Sequence, residues 1–134
     1  MMRRSGLWLG IAATIGVVTA IGAGIRVMGS PREARIWRVD GTRLEDLRRI
    51  DDAVRLFWSR ESRLPASLAE LNQESGVNVA ATDPGTRRPY EYRATGDRTY
   101  ELCATFERAA SDVGFWSHGF GRHCFNFTAR RTTP

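Results

Sequence analysis

The segment YELCATF, residues 100–106, decides the fold. Tyr100, Leu102, Ala104 and Phe106 fall on one parity, and Glu101, Cys103 and Thr105 on the other. An unbroken period of two is the signature of a half-buried strand. The same alternation stands on either side. Tyr90 and Tyr92 alternate with Glu91 and Arg93, and Ala94-Thr95-Gly96-Asp97 follows as a hairpin turn. Further on, His123, Phe125 and Phe127 alternate with Cys124 and Asn126. Three short antiparallel strands are expected.

Parity also places the cysteines. If the aromatic and aliphatic positions form the buried face, Cys103 and Cys124 share the opposite one. Two cysteines on one face of neighbouring antiparallel strands satisfy disulfide geometry. A Cys103–Cys124 staple is expected, and with it an oxidising compartment. The rival is a zinc site built from Cys103, His118, His123 and Cys124, whose ligand types suit the metal. Its spacing is poor, because adjacent His123 and Cys124 point to opposite faces of a strand. A cysteine nucleophile is weaker still, since a disulfide leaves no thiolate. Asp112 or Ser117 beside His118 makes a triad only on paper, as sequence neighbours rarely converge. Between the strands, Gly114, Gly119 and Gly121 permit sharp turns. Phe115, Trp116 and Phe120 are expected to fold back over an edge of the core, the alternative being an exposed aromatic loop that contacts a partner. His118 has no assigned role.

The sheet needs a cover. Leu44, Leu47, Ile50, Val54 and Phe57 lie on one stripe at helical spacing. Glu45/Arg49, Arg48/Asp52 and Asp51/Arg55 pair opposite charges four residues apart and read as a solvated face. Adjacent Asp51 and Asp52 diverge around the helix and make no acid–base pair. Two capping boxes are visible, Ser30-Pro31-Arg32-Glu33 and Thr42-Arg43-Leu44-Glu45. They predict a first helix carrying EARIWRV, an interruption at Asp40-Gly41, and a second, stronger helix. Leu64-Pro65 ends it, Ser67 to Gln73 form one or two further turns with Leu68 and Leu71 inward, and Asp83-Pro84-Gly85 marks a turn.

Upstream, Met1-Met2-Arg3-Arg4 precedes nineteen uncharged residues, Leu7 to Ile25. That is close to the roughly 20 residues that span a bilayer. A cleaved signal peptide with Val18-Thr19-Ala20 as its cleavage site competes, but the run exceeds an ordinary signal core. Arginines flank both ends, Arg3 and Arg4 before the run and Arg26, Arg32, Arg35 and Arg38 after it, so orientation rests on the cysteine pair. Ala12, Gly16, Ala20 and Gly24 recur every four residues, a small-residue stripe along which two helices could associate. All twenty basic residues of the 134 are arginine. Beyond residue 31 the chain carries 17 arginines against 15 acids, a balance of +2 that leaves no nucleic-acid footprint.

From LPASLAEL through DPGTRRPYEYRATGDRTYEL the chain resembles the type IV pilin-like proteins, above all the major pseudopilin of type II secretion. The residues that carry the likeness are Leu64-Pro65, Asp83-Pro84 and Pro89-Tyr90-Glu91-Tyr92. The resemblance implies a membrane helix, a long amphipathic helix and a small antiparallel sheet, spanning most of residues 7–128. YELCATF and FWSHGFGRHCF look like segments of small bacterial membrane-anchored proteins of this layout. The chain departs from the pilin pattern where Gly6 precedes Leu7-Trp8-Leu9-Gly10-Ile11 with no glutamate in the membrane helix. The pseudopilin calcium loop has no acidic counterpart, and the cysteine pair stands where calcium would hold the sheet.

The expectation is therefore an α+β protein, with residues 1–28 as membrane anchor and 29–134 as an extracytoplasmic pilin-like domain. In it an amphipathic helix packs on a three-stranded antiparallel sheet. Its role would be structural or interaction-based in the bacterial cell envelope, at the inner membrane with the domain in the periplasm. No catalytic, cofactor-binding or metal residues are expected. Partners would be membrane lipid and, through the membrane helix or the aromatic loop, itself or an envelope protein, with no nucleic acid and no small-molecule substrate. The alternative is a pseudopilin-like subunit of a secretion or pilus apparatus.

Overall fold

A computed structural model describes residues 2–27, 30–73, 76–111 and 114–130. Asp112, the expected boundary at 28/29 and the tail after Arg130 lie outside them. The chain forms α1 (Met2–Val27), α2 (Pro31–Glu61), a short α3 (Leu68–Leu71), β1 (Glu91–Ala94), β2 (Thr99–Phe106), a 3-10 turn (Gly114–Trp116) and β3 (Gly121–Thr128). It divides into two compact units, Met1–Arg35 and Ile36–Pro134. The division falls inside α2, whose residues 31–35 are exposed.

Within the first unit, α1 carries no charged residue from Gly6 to Ile25. A window of it has mean hydropathy 1.9, and none of that window is buried. This is a helix long and apolar enough to cross a membrane. The Thr14 and Thr19 hydroxyls donate to the Gly10 and Ile15 carbonyls at 2.9 and 2.8 Å. Their polarity is thereby satisfied along the helix itself, as a bilayer demands.

At the start of α2 the capping box forms as expected. Ser30 Oγ accepts from the Glu33 N–H at 3.2 Å, and the Glu33 carboxylate accepts from the Ser30 N–H at 3.3 Å. The second box does not. Asp40 and Gly41 continue the helix, and Thr42 Oγ1 donates back to the Arg38 carbonyl at 3.0 Å. Asp40 does not break the helix, because its carboxylate is taken up by tertiary partners. It accepts from the backbone N–H groups of Glu107 and Arg108 and from Arg43.

The sheet has order β1-β2-β3, antiparallel throughout, with Tyr92 opposite Leu102, Leu102 opposite Phe125 and Tyr100 opposite Phe127. Its inner face packs Tyr100, Leu102, Ala104, Phe106, Phe125 and Phe127 against Leu47, Ile50, Val54 and Phe57 of α2, with Leu68 and Leu71 closing one end. Each large side chain so buried contributes about 1.5–3 kcal/mol. Leu44 is only half-buried. α3 is capped by Ser67, whose side chain accepts from the Glu70 N–H. The Asn72 amide then clamps the following loop through both the N–H and the carbonyl of Val79.

The expected solvated face of α2 is part wrong. Glu45–Arg49 and Asp51–Arg55 pair at 3.2 and 3.0 Å. Arg48 stands over the Trp116 ring, 5.4 Å from its centroid, in place of pairing with Asp52. Asp51 is buried and accepts from the Tyr100 hydroxyl. Tyr90 similarly donates to buried Asp46 at 2.8 Å, and Tyr92 to the Pro65 carbonyl at 2.9 Å. Burial, and for Tyr90 and Tyr100 the facing carboxylate, pushes all three phenols up, Tyr92 to about 12.

Candidate functional site

Two polar constellations flank the core. One is internal and was not legible as a site. Arg43, 1% exposed, bonds Asp83 through Nε at 2.6 Å and Asp40 through Nη1 at 2.6 Å, with Glu107 at 3.4 Å. Asp83 also accepts from the N–H groups of Gly85 and Thr86 at 2.7 and 2.8 Å, which tightens the Asp83-Pro84-Gly85 turn. A methyl group on Gly85 would sit 2.6 Å from Arg43 Nη2, so a larger residue there would make the guanidinium shift. Burial works against ionisation of both partners. The Arg43–Asp83 hydrogen bonds outweigh it, so Asp83 is held below the usual carboxylate range and Arg43 above the usual guanidinium range. Arg43 thus ties α2 to the Asp83 turn and to the end of β2.

The second constellation lies on the outer face of the sheet. Cys103 and Cys124 are direct cross-strand partners, with their sulfurs at disulfide distance. Strand parity places them there as the sequence implies, yet the face is not uniformly open. Cys103 is 1% exposed, while Cys124 is half-buried. Arg122 donates to Cys103 Sγ at 3.4 Å and forms an ion pair with Glu91 at 2.7 Å. Arg93 and Glu101 pair beside it, also at 2.7 Å. These side chains, with Tyr90 and Tyr92, line an open groove of about 480 Å³ that reaches Cys103. Glu91 is lowered by its bond to Arg122.

The zinc constellation is not assembled. His118 and His123 lie on the inner side, 6.4 Å apart by ring centroid, away from the sulfurs. Among the described residues, the group with ligand atoms close enough for a metal is Glu101, Cys103 and Cys124, within 4.8 Å of one another. Two of those three atoms are at bonding distance to each other. His118 has a packing role: it is buried, stacks on Phe106 at 3.6 Å between centroids, and forms a reciprocal backbone bridge with Ala110. It also lines a shallow cavity of about 210 Å³ with Trp37, Leu44, Arg108 and Ala110.

The aromatic loop folds back only in part. Trp116 packs on Phe125 and Phe127 at 4.9 and 5.6 Å. Phe115 touches Phe127 but remains 61% exposed, and Phe120 is 79% exposed. Loop closure comes from Trp116 and the His118–Ala110 bridge, which leave Phe120 outside. In α1, an added methyl at Gly16 or Gly24 of the Ala12–Gly16–Ala20–Gly24 stripe would meet no neighbour.

The fold and the two constellations define an α+β domain of one helix on a three-stranded antiparallel sheet, preceded by an apolar helix. Comparison with protein-family models, with curated proteins and with solved structures found no match.

Proposed function

We propose that this is a single-pass membrane-anchored protein whose domain stands outside the cytoplasm, with a structural or protein-interaction role in the bacterial envelope and no enzymatic activity. The observation that carries this reading is the pairing of an apolar helix with a cross-strand cysteine pair at bonding distance on the polar face. A disulfide persists where thiols are not kept reduced, which on the far side of α1 means the periplasm. The polar groove and the exposed rings of Phe115 and Phe120 supply surface for a protein partner, and α1 meets lipid. Non-reducing peptide mass spectrometry of protein taken from membranes checks the compartment. A Cys103–Cys124 linked peptide supports export, and free thiols at both positions overturn it.

The second reading is a pseudopilin-like subunit. It is favoured by the uninterrupted 31-residue α2, whose Leu47–Phe57 stretch packs on an antiparallel sheet, the layout that the Leu64-Pro65 and Asp83-Pro84 likeness implies. Cysteines placed at Ala12, Gly16, Ala20 and Gly24 would crosslink copies through α1 in a subunit that polymerises. Monomers at all four positions dismiss that reading and leave the first intact.

A further inference from the structure

We propose that the Cys103–Cys124 disulfide is a directional thiol-exchange site, attacked at Cys124 with Cys103 leaving as thiolate, and that it is addressed by a dithiol reductant. This rests on the oxidised, exported domain proposed above. Thiolate attack on a disulfide is in line, with three sulfurs on one axis. The sheet order puts Cys103 on the central strand and Cys124 on the edge strand β3. The axis through Cys124 therefore opens beyond the sheet. The opposite axis, through Cys103, runs over β1 and the groove, where Arg122 stands against the Cys103 sulfur and is held by Glu91, the register partner of Cys103. Burial agrees with topology, since Cys103 is 1% exposed and Cys124 is half-buried.

The leaving group has a counter-charge in place. A buried thiolate is unfavourable without a cation nearby. The Arg122 guanidinium already donates to Cys103 Sγ at 3.4 Å. Glu101, whose carboxylate lies within 4.8 Å of both sulfurs, opposes negative charge there, and Arg93 offsets it with a 2.7 Å ion pair. In the first step the incoming thiolate forms a bond to Cys124 Sγ. The Sγ–Sγ bond breaks and its electron pair goes to Cys103 Sγ. The second thiol of the reductant, as thiolate, then attacks its own sulfur in the mixed disulfide. Cys124 leaves as thiolate, and the reductant becomes a disulfide. Two electrons pass from the dithiol to the cysteine pair, and the outer face of the sheet loses its staple.

Glutathione serves as a one-thiol probe on the full chain in lipid nanodiscs, with N-ethylmaleimide quenching at short times and peptide mass spectrometry of both cysteines. Glutathione on Cys124 with maleimide on Cys103 is expected, in excess of the reverse by about tenfold or more. Arg122→Gln should slow the first step by about three- to tenfold, because the leaving thiolate loses its cation. Glu91→Gln breaks the same ion pair but keeps the guanidinium, so it should not slow the step. Equal or greater adduct on Cys103, no adduct on either, an unchanged rate in Arg122→Gln, or equal slowing by Glu91→Gln would overturn the proposal. Free thiols before glutathione is added overturn the staple itself, whereas a misplaced adduct overturns only the direction of exchange.

Discussion

Arg43 and Arg122 each hold carboxylates from other parts of the chain, and the two clusters differ chiefly in what surrounds them. Arg43 is 1% exposed and gathers Asp40, Asp83 and Glu107 beneath the loop that follows α3. Arg122 lies in solvent on the outer face and pairs with Glu91 across β2. An ion pair in water gains little and is screened by salt. An internal pair has already lost its hydration, so removing one partner strands the other. The same residue types therefore lock the fold at one site and leave the chemistry of a neighbouring sulfur adjustable at the other.

The largest effect should follow from breaking the internal cluster. Arg43→Gln leaves Asp40 and Asp83 buried without their cation, and should destabilise the domain by about 3–5 kcal/mol. Urea unfolding of the full chain followed by near-UV circular dichroism measures this, and a loss as small as that of a surface substitution would refute the internal role. The cluster also sets an acid limb. Asp83 is held below its unfolded value, so its contribution is complete above the ordinary carboxylate range. It is lost as pH falls below about 4 and through the folded value. Asp83→Asn should flatten that limb while lowering stability at neutral pH.

Next comes the staple. Cys103 and Cys124 are 21 residues apart, and a loop of that size is worth about 3 kcal/mol in the chain-entropy treatment. Cys103→Ala with Cys124→Ala should lose close to that amount by the same unfolding measurement. The core and the Arg43 cluster should remain in place, visible as an unchanged near-UV spectrum. A collapse of that spectrum would mean that the two clusters are not independent.

How much of this was legible turns on period and partner. A strand's period of two fixes every side chain's face from a single assignment, so YELCATF and HCFNF gave the sheet, the core face and the cysteine pairing together. α2 was legible only where its stripe is apolar. Asp40, Arg43, Leu47, Ile50, Val54 and Phe57 follow one another at spacings of three and four, so the charged pair continues the buried stripe by one turn. Hydrophobicity alone does not show this, and Asp40-Gly41 reads locally as a break. The acceptors and donors that override it sit at Asp83, Glu107 and Arg108, 40 or more residues away. Asp51 was misread for the same reason, since its partner Tyr100 is 49 residues distant.

The tyrosines grade the space between the two clusters. Tyr100→Phe removes the neutral donor from buried Asp51, whose remaining partner is Arg55 at 3.0 Å, and should cost about 1.5–3 kcal/mol. Tyr92→Phe removes a bond to a backbone carbonyl and should cost about 0.5–1.5 kcal/mol. The phenols are raised in the fold, so their contribution is intact below the unfolded value near pH 10 and declines as pH rises beyond it. An alkaline limb that persists unchanged in the double variant would show that these hydroxyls do not carry it.

The smallest effect belongs to the outer face. Glu91 and Arg122 are both more than half exposed, so neither Glu91→Gln nor Arg122→Gln should move the unfolding midpoint measurably, at low salt or high. The glutathione exchange rate measured on the same two variants should nonetheless separate them, because only one removes the cation from Cys103 Sγ. Equal midpoints with unequal exchange rates would place the role of Arg122 in the reactivity of the sulfur. A midpoint that falls in Arg122→Gln as steeply as in Arg43→Gln would erase the distinction between the clusters, and make the outer face part of the lock.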